Sequence, residues 1–261
     1  MQNTSVYLDI NGAIATMVLN RPNKLNALNS EVLESIKACT ADVANNSDIK
    51  VMVLRGATSQ VFSSGADISE FPKVHATAES REQFNLLFRS TLDGITSMEK
   101  PVIAMIAGYC FGGGCALALS CDLRYADHTA SFCIPPAKLG VAYTLHETKR
   151  LVDLVGPSKA KEMLMGAKVL TANEALNTGL ATRLFEPQQL ADETFAFAEE
   201  LCRLSQFTIR AVKTTVREIT AGAQDDTAVS SELRAKAFEN PDYFEGRDAF
   251  LQKRKPKFTY Q

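Results

Sequence analysis

At 261 residues, with near half of them apolar and about a quarter charged, the chain is an ordinary globular one, long enough for one sizeable domain or for one domain with an appendage. A formal net charge of −2 offers no field for nucleic acid or an acidic membrane, and no apolar run reaches the roughly 20 residues of a transmembrane helix. No basic-then-apolar leader is visible from Met1 to Asp9, and the six cysteines form no C-x-x-C pair, so reduced thiols in a cytoplasmic protein are expected.

Val6–Ile10 and Ala13–Leu19 read as two strands joined at the turn signal Asn11-Gly12. A polar loop, 20–28, leads to a helix capped by Asn29 or Ser30, with Val32, Leu33, Ile36, Cys39, Thr40 and Val43 on one face. Val51–Leu54 is a continuous apolar run of strand length, expected to be buried on both faces. Val61–Ile68 follows, then a long helical pattern between Thr77 and Met98, and a strand from Pro101 to Ile106. Beyond Gly112-Gly113-Gly114 comes a short buried helix, Cys115–Leu119, and short strands at Asp122–Ala126 and Ala130–Ile134. Helices are expected at Thr148–Val155, Ser158–Leu164 and Thr171–Thr178, the first two parted by Gly156-Pro157 and the last opened by the capping box Thr171-x-x-Glu174. From Pro187 the chain reads as helical, with breaks near Ser205, Gly222 and Asn240-Pro241. Strands alternating with helices, then helices alone, predict an α/β core with an α-helical C-terminal extension.

The glycine triplet stands where a strand-like stretch enters a helix. Glycines allow a sharp turn and close approach, and a helix start leaves N–H groups unpaired. Such a place suits a bound anion, or an oxygen that gains charge during a reaction; it also suits a tight turn that binds nothing. Phe62-Ser63-Ser64-Gly65-Ala66-Asp67-Ile68 has the same character, and two such donors converging on one oxygen make an oxyanion hole. The three histidines are dispersed without metal-ligand spacing, so no metal is expected.

Together these segments resemble the crotonase (enoyl-CoA hydratase/isomerase) family. The likeness includes Arg21-Pro22 with Leu25–Leu28, Ser64–Ile68, the triplet through Cys121-Asp122, Lys138–Gly140, Thr148–Leu151, Gly179-Leu180 and Glu245–Phe258. It implies a crotonase-like (ClpP/crotonase) spiral of ββα repeats over residues 1–200, and a helical trimerisation region over 201–261. It implies an acyl-CoA thioester substrate, a homotrimer or dimer of trimers, and no cofactor beyond the CoA moiety of the substrate. The backbone N–H groups of Ala66 and Gly113 would take the thioester carbonyl oxygen. Ala66, Asp67 and Ile68 would meet the adenine end of CoA, with Lys24 flanking it, and Phe250 and Lys253 would close over it from a neighbouring subunit. The basic tail Lys253–Lys257 on an acidic chain is a weak nucleic-acid footprint, and no nucleic-acid or membrane partner is expected.

Two positions depart from the family. Its hydratases use one glutamate two residues after the triplet and another after a phenylalanine and a proline; here those positions hold Ala116 and Pro136. The aspartate that some dienoyl isomerases and dehalogenases carry falls on Thr144. Efficient hydration is therefore not expected. One reading is decarboxylation of a malonyl-type CoA ester, which makes an enolate without a base. The run from Ile134 to Tyr143 is similar to a segment of methylmalonyl-CoA decarboxylases, although Ala66 replaces their histidine. A second reading gives acid–base work to Tyr143 and His146, with Glu147 and Glu70 as further candidates, since an ordinary imidazole titrates near neutrality. A third is an acyl-CoA-binding protein without turnover. Asp67 and Asp122 are expected as caps or turn residues, and the cysteines as apolar fillers.

Overall fold

A computed structural model describes residues 4–259; residues 1–3, part of the stretch read for a leader, lie outside the described residues. The hairpin β1 (Val6–Asn11) and β2 (Ile14–Leu19) leads into α1 (Ser30–Asn45). Then come β3 (Val51–Gly56), β4 (Val61–Ser63), the single turn α2 (Phe71–Val74) and α3 (Ala78–Ser97). The next unit is β5 (Val102–Ile106), β6 (Tyr109–Phe111) and α4 (Gly113–Leu119). It is followed by β7 (Leu123–Asp127), β8 (Ser131–Cys133), α5 (Pro136–Leu139) and α6 (Leu145–Gly166). The first hairpin stays in one sheet, and each of the next three repeats (β3/β4, β5/β6, β7/β8) sends its first strand to that sheet and its second to another, giving a spiral of ββα units. The last strands are β9 (Leu170–Thr171) and β10 (Arg183–Phe185), with α7 (Ala172–Asn177) between them. The larger sheet has the order β1-β2-β3-β5-β7-β10, and the smaller β4-β6-β8-β9.

From β2 onward the large sheet is parallel, so both faces are covered. Along β3, Met52 and Leu54 enter one core with Leu33, Ile36, Leu92 and Leu117. The alternate residues Val51 and Val53 enter a second core with Ile103, Tyr125 and Ala198. The second core is closed by α8 (Leu190–Arg203). Because α8 packs on the sheet, the boundary expected at 200/201 falls in its last turn, and the extension starts after it. That extension is α9 (Gln206–Thr220), α10 (Ala228–Glu239) and α11 (Pro241–Leu251). Among the described residues, no helix is long and apolar enough to cross a membrane.

Local chemistry fixes the helix starts. Asn29 caps α1 through Val32 N, and Thr171 and Glu174 form the expected capping box. Gly156 breaks α6 at φ +75°, and Pro157 opens its second half. The first half starts at Leu145, three residues earlier than its apolar pattern suggests, because Thr144 and Glu147 form another capping box. Asp122 acts as a tie: its carboxylate accepts from Val102 N at 2.7 Å and Lys213 Nζ at 2.6 Å. Burial pulls the Lys213 ammonium below its ordinary range, against the charge of Asp122. Four of the six free cysteines are buried; burial pushes the Cys121 thiol up to about 12, leaving it inert as a nucleophile.

Candidate active site

The loop 20–28 positions the first half of the site. Asn26 is buried with φ +51°; its Nδ2 donates to Val61 O and Phe62 O, and its carbonyl accepts from Ser63 Oγ at 2.8 Å. Ser64 N donates to Leu25 O, Leu28 N to Gly65 O, and Asp67 N to Leu28 O. Gly65 N donates to Ser63 Oγ. From Ser64 to Asp67, then, each backbone N–H but one is used within the fold, and the exception is Ala66. Arg21 ties the end of this run, reaching Ala27 O at 2.7 Å and the Asp67 carboxylate at 3.1 Å.

The glycine triplet supplies the second half, and its three members do different things. Gly112 turns the chain at φ +50°, and its N–H donates to Cys133 O at 2.7 Å. Gly114 lies against β4, where a Cβ would stand 2.5 Å from Ser63 O. Gly113 starts α4, so its N–H has no acceptor in the helix. A Cβ on Gly113 would stand 3.3 Å from Ala66 N, and a Cβ on Gly65 would stand 3.0 Å from Gly113 N. The two unpaired amides are thus side by side, and at Gly65, with φ +98° and Phe111 O 2.8 Å from a Cβ, only glycine lets the backbones approach so closely.

Ala66, Gly112 and Gly113 edge a cavity of about 350 Å³. Phe71, Phe84, Phe88 and Leu92 line it from α2 and α3; Leu139, Val141 and Ala142 line it from the segment before α6. Its polar groups are Ser64, His75, Asn85, Arg89, Tyr143, Thr144, His146 and Glu147. Tyr143 lies beside the triplet, and no partner for its hydroxyl occurs among the described residues. Burial, reinforced by the Glu147 charge, pushes its phenol well above the ordinary range, so it stays protonated near neutrality.

His146 also faces the cavity, with its Nε2 2.6 Å from Asp93 Oδ1. Arg150 Nη2 reaches the same oxygen at 2.9 Å. Burial works against the ionised Asp93, but the His146 hydrogen bond and the His146 and Arg150 charges prevail, holding its carboxyl below the ordinary range.

The other carboxylates read as candidates have structural work. Glu70 accepts from Ser30 N at 2.9 Å and Ser30 Oγ at 3.1 Å, which satisfies the first turn of α1. Glu147 lines the cavity, but its carboxylate accepts from Thr144 N and Oγ1 as a cap. Asp67 caps the turn Ile68–Glu70; the Ser69 hydroxyl, then Arg21, keep its carboxyl below the ordinary range. Ala116 and Pro136 are buried and do not line the cavity, whereas Pro135 does. Lys24 is exposed on the turn Pro22–Lys24, and Ile68 is exposed at the cavity rim. Phe250 and Lys253 are exposed on and just after α11 and do not line this cavity.

A spiral of ββα units carrying its strands into two sheets is the crotonase fold. The chain belongs to the enoyl-CoA hydratase/isomerase family, whose model matches residues 9–261. It is 35% identical to the short-chain-enoyl-CoA hydratase of Clostridium acetobutylicum, over 98% of this chain and 97% of that protein. It is 35% identical to the crotonyl-CoA hydratase of Syntrophomonas wolfei, over 99% of each. A solved enoyl-CoA hydratase/isomerase family protein from Hyphomonas neptunium superposes with a TM-score of 0.95 at 38% identity, over 98% of each chain. The chain is thus a member of an enzyme family.

Proposed function

We propose that the cavity receives the acyl end of an acyl-CoA thioester and that the Ala66 and Gly113 amides take its carbonyl oxygen. The observation that carries this reading is the pair of unpaired N–H groups standing together at the cavity edge. An enolate oxygen holds more charge than a thioester carbonyl, so the donors favour the state in which C2 has released its electron pair. One such donor is worth roughly 3–4 kcal/mol of barrier. Relatives named for short-chain enoyl-CoA and crotonyl-CoA hydration support the acyl-CoA class.

Water addition needs groups that take and give protons at C3 and C2, and Ala116 and Pro136 supply none. Tyr143 and His146 are the candidates for polar work there. A second reading is decarboxylation of a malonyl-type CoA ester, favoured by the Tyr143 hydroxyl, which is free to donate to a substrate carboxylate. The bond from C2 to the carboxylate breaks, CO₂ leaves, its electron pair passes to the thioester oxygen, and solvent returns a proton to C2. Lys24 and the backbone of 66–68 would hold the CoA of the same chain. Phe250 and Lys253 would reach it only from another copy. Val212, Val216 and Ile219 form an exposed apolar stripe on α9, which supports a trimer or dimer of trimers.

Infrared difference spectra of bound butyryl-CoA, labelled with ¹³C at the thioester carbonyl, test the donor pair. The expected result is a carbonyl stretch below that of the free ligand. A stretch unchanged on binding would remove the assignment.

A further inference from the structure

Four rings form a file along one wall of the cavity. Phe71 and His75, one turn apart, stack with centroids 4.6 Å apart and planes 16° from parallel. His75 meets Phe84 edge-on at 6.4 Å, and Phe84 meets Phe88 at 6.4 Å across one turn of α3. The file ends at the amide pair, where the Phe88 ring would stand 3.2 Å from a Cβ on Gly113. All four rings line the cavity and none is fully buried. Rings gain from offset or edge-to-face partners as well as from burial, and here each leaves surface turned to the cavity. The file thus starts where the thioester oxygen would sit and runs along the space open to the acyl group.

Given the acyl-CoA reading above, we propose that the acyl group carries a planar ring, held against His75, Phe84 and Phe88. Side chains that only excluded water could be aliphatic, as Leu92, Leu139 and Val141 are elsewhere in the lining. A ring-bearing acyl group offers faces and edges to the file that a saturated chain of equal carbon count does not. At about 350 Å³ the cavity is at the small end of ligand sites, which suits a compact acyl group.

Calorimetric titration with cinnamoyl-CoA and trans-2-nonenoyl-CoA tests this, because both acyl groups have nine carbons. Cinnamoyl-CoA is expected to bind about ten-fold more tightly, the scale of one or two aromatic contacts. His75→Leu and Phe84→Leu keep an apolar wall and are each expected to remove most of that preference, weakening cinnamoyl-CoA binding more than nonenoyl-CoA binding. Both positions are partly exposed, so folded variants are expected; if one fails to fold, the other and the wild-type ratio decide. Equal or tighter nonenoyl-CoA binding in the wild type would overturn the proposal, as would a preference intact in the folded variants. Butyryl-CoA separates the two levels of the argument. If it binds but the ring preference is absent, only the ring selection falls. If none of the three thioesters binds, the acyl-CoA reading falls with it.

Discussion

The hydroxyl of Tyr143 stands 3.7 Å from the point where a Cβ on Gly112 would sit, so the phenol crowns the turn that presents the Gly113 amide. Tyr143→Phe removes one hydroxyl with no partner among the described residues, so little stability depends on it. Turnover is expected to fall by about 10–100-fold, while the melting temperature moves by no more than about 2 °C. Unchanged turnover, read beside a thermal melt, would reduce Tyr143 to a packing residue.

Two neighbouring glycines should behave differently. Gly114→Ala drives a Cβ to 2.5 Å from a backbone carbonyl, which forces α4 and β4 apart. The cost is about 1–3 kcal/mol, a fall of several degrees in melting temperature. Gly113→Ala meets the Phe88 ring at 3.2 Å and Ala66 N at 3.3 Å, and that ring can yield into the cavity. The fold should survive while acyl-CoA affinity drops several-fold. Equal melting temperatures for the two variants would contradict this division.

Glu70 holds the first turn of α1 through Ser30. Glu70→Ala leaves Ser30 N and Oγ without their acceptor and should cost about 1 kcal/mol, roughly 2–4 °C, with turnover within two-fold of wild type. A ten-fold loss of turnover without a thermal shift would return Glu70 to the catalytic candidates.

Asp93 links His146 to acid stability. Its folded carboxyl titrates below its ordinary 3.8, so its contribution is fully present above that value and lost as pH falls through the folded one. Asp93→Asn should therefore lower the melting temperature near pH 6, and the gap from wild type should shrink steadily below about pH 4. Melts across pH 3 to 7 check this; a gap that widens toward low pH would reverse the sign.

Much of this was legible in the chain. The strand–helix alternation, the break at Gly156-Pro157 and the helix starts at Asn29 and Thr171 follow from residue chemistry acting over a few positions. The two glycine-rich segments were legible as turns into helices, while Ala66 and Gly113 within them were expected from the resemblance alone; the fold sets their backbones side by side. The three-residue β6 and β10 and two-residue β9 were not legible, because so few residues carry no period. The cap role of Glu147 is written in Thr144-x-x-Glu147, a signal that the later start of the apolar pattern masks. His75, Asn85 and Arg89 reach the cavity from a region whose packing no local pattern sets. The contact of His146 with Asp93 spans 53 positions, and only the fold brings them together.

The rate of crotonyl-CoA hydration, measured beside malonyl- and methylmalonyl-CoA decarboxylation, bears most directly on a site that stabilises an enolate without the usual carboxylates. Each lost acid or base costs about 10²–10⁴-fold, so hydration should stay at least about 100-fold below the ~10 s⁻¹ typical of enzymes, while decarboxylation of one ester exceeds it. Crotonyl-CoA hydration at ordinary enzyme rates would contradict the account.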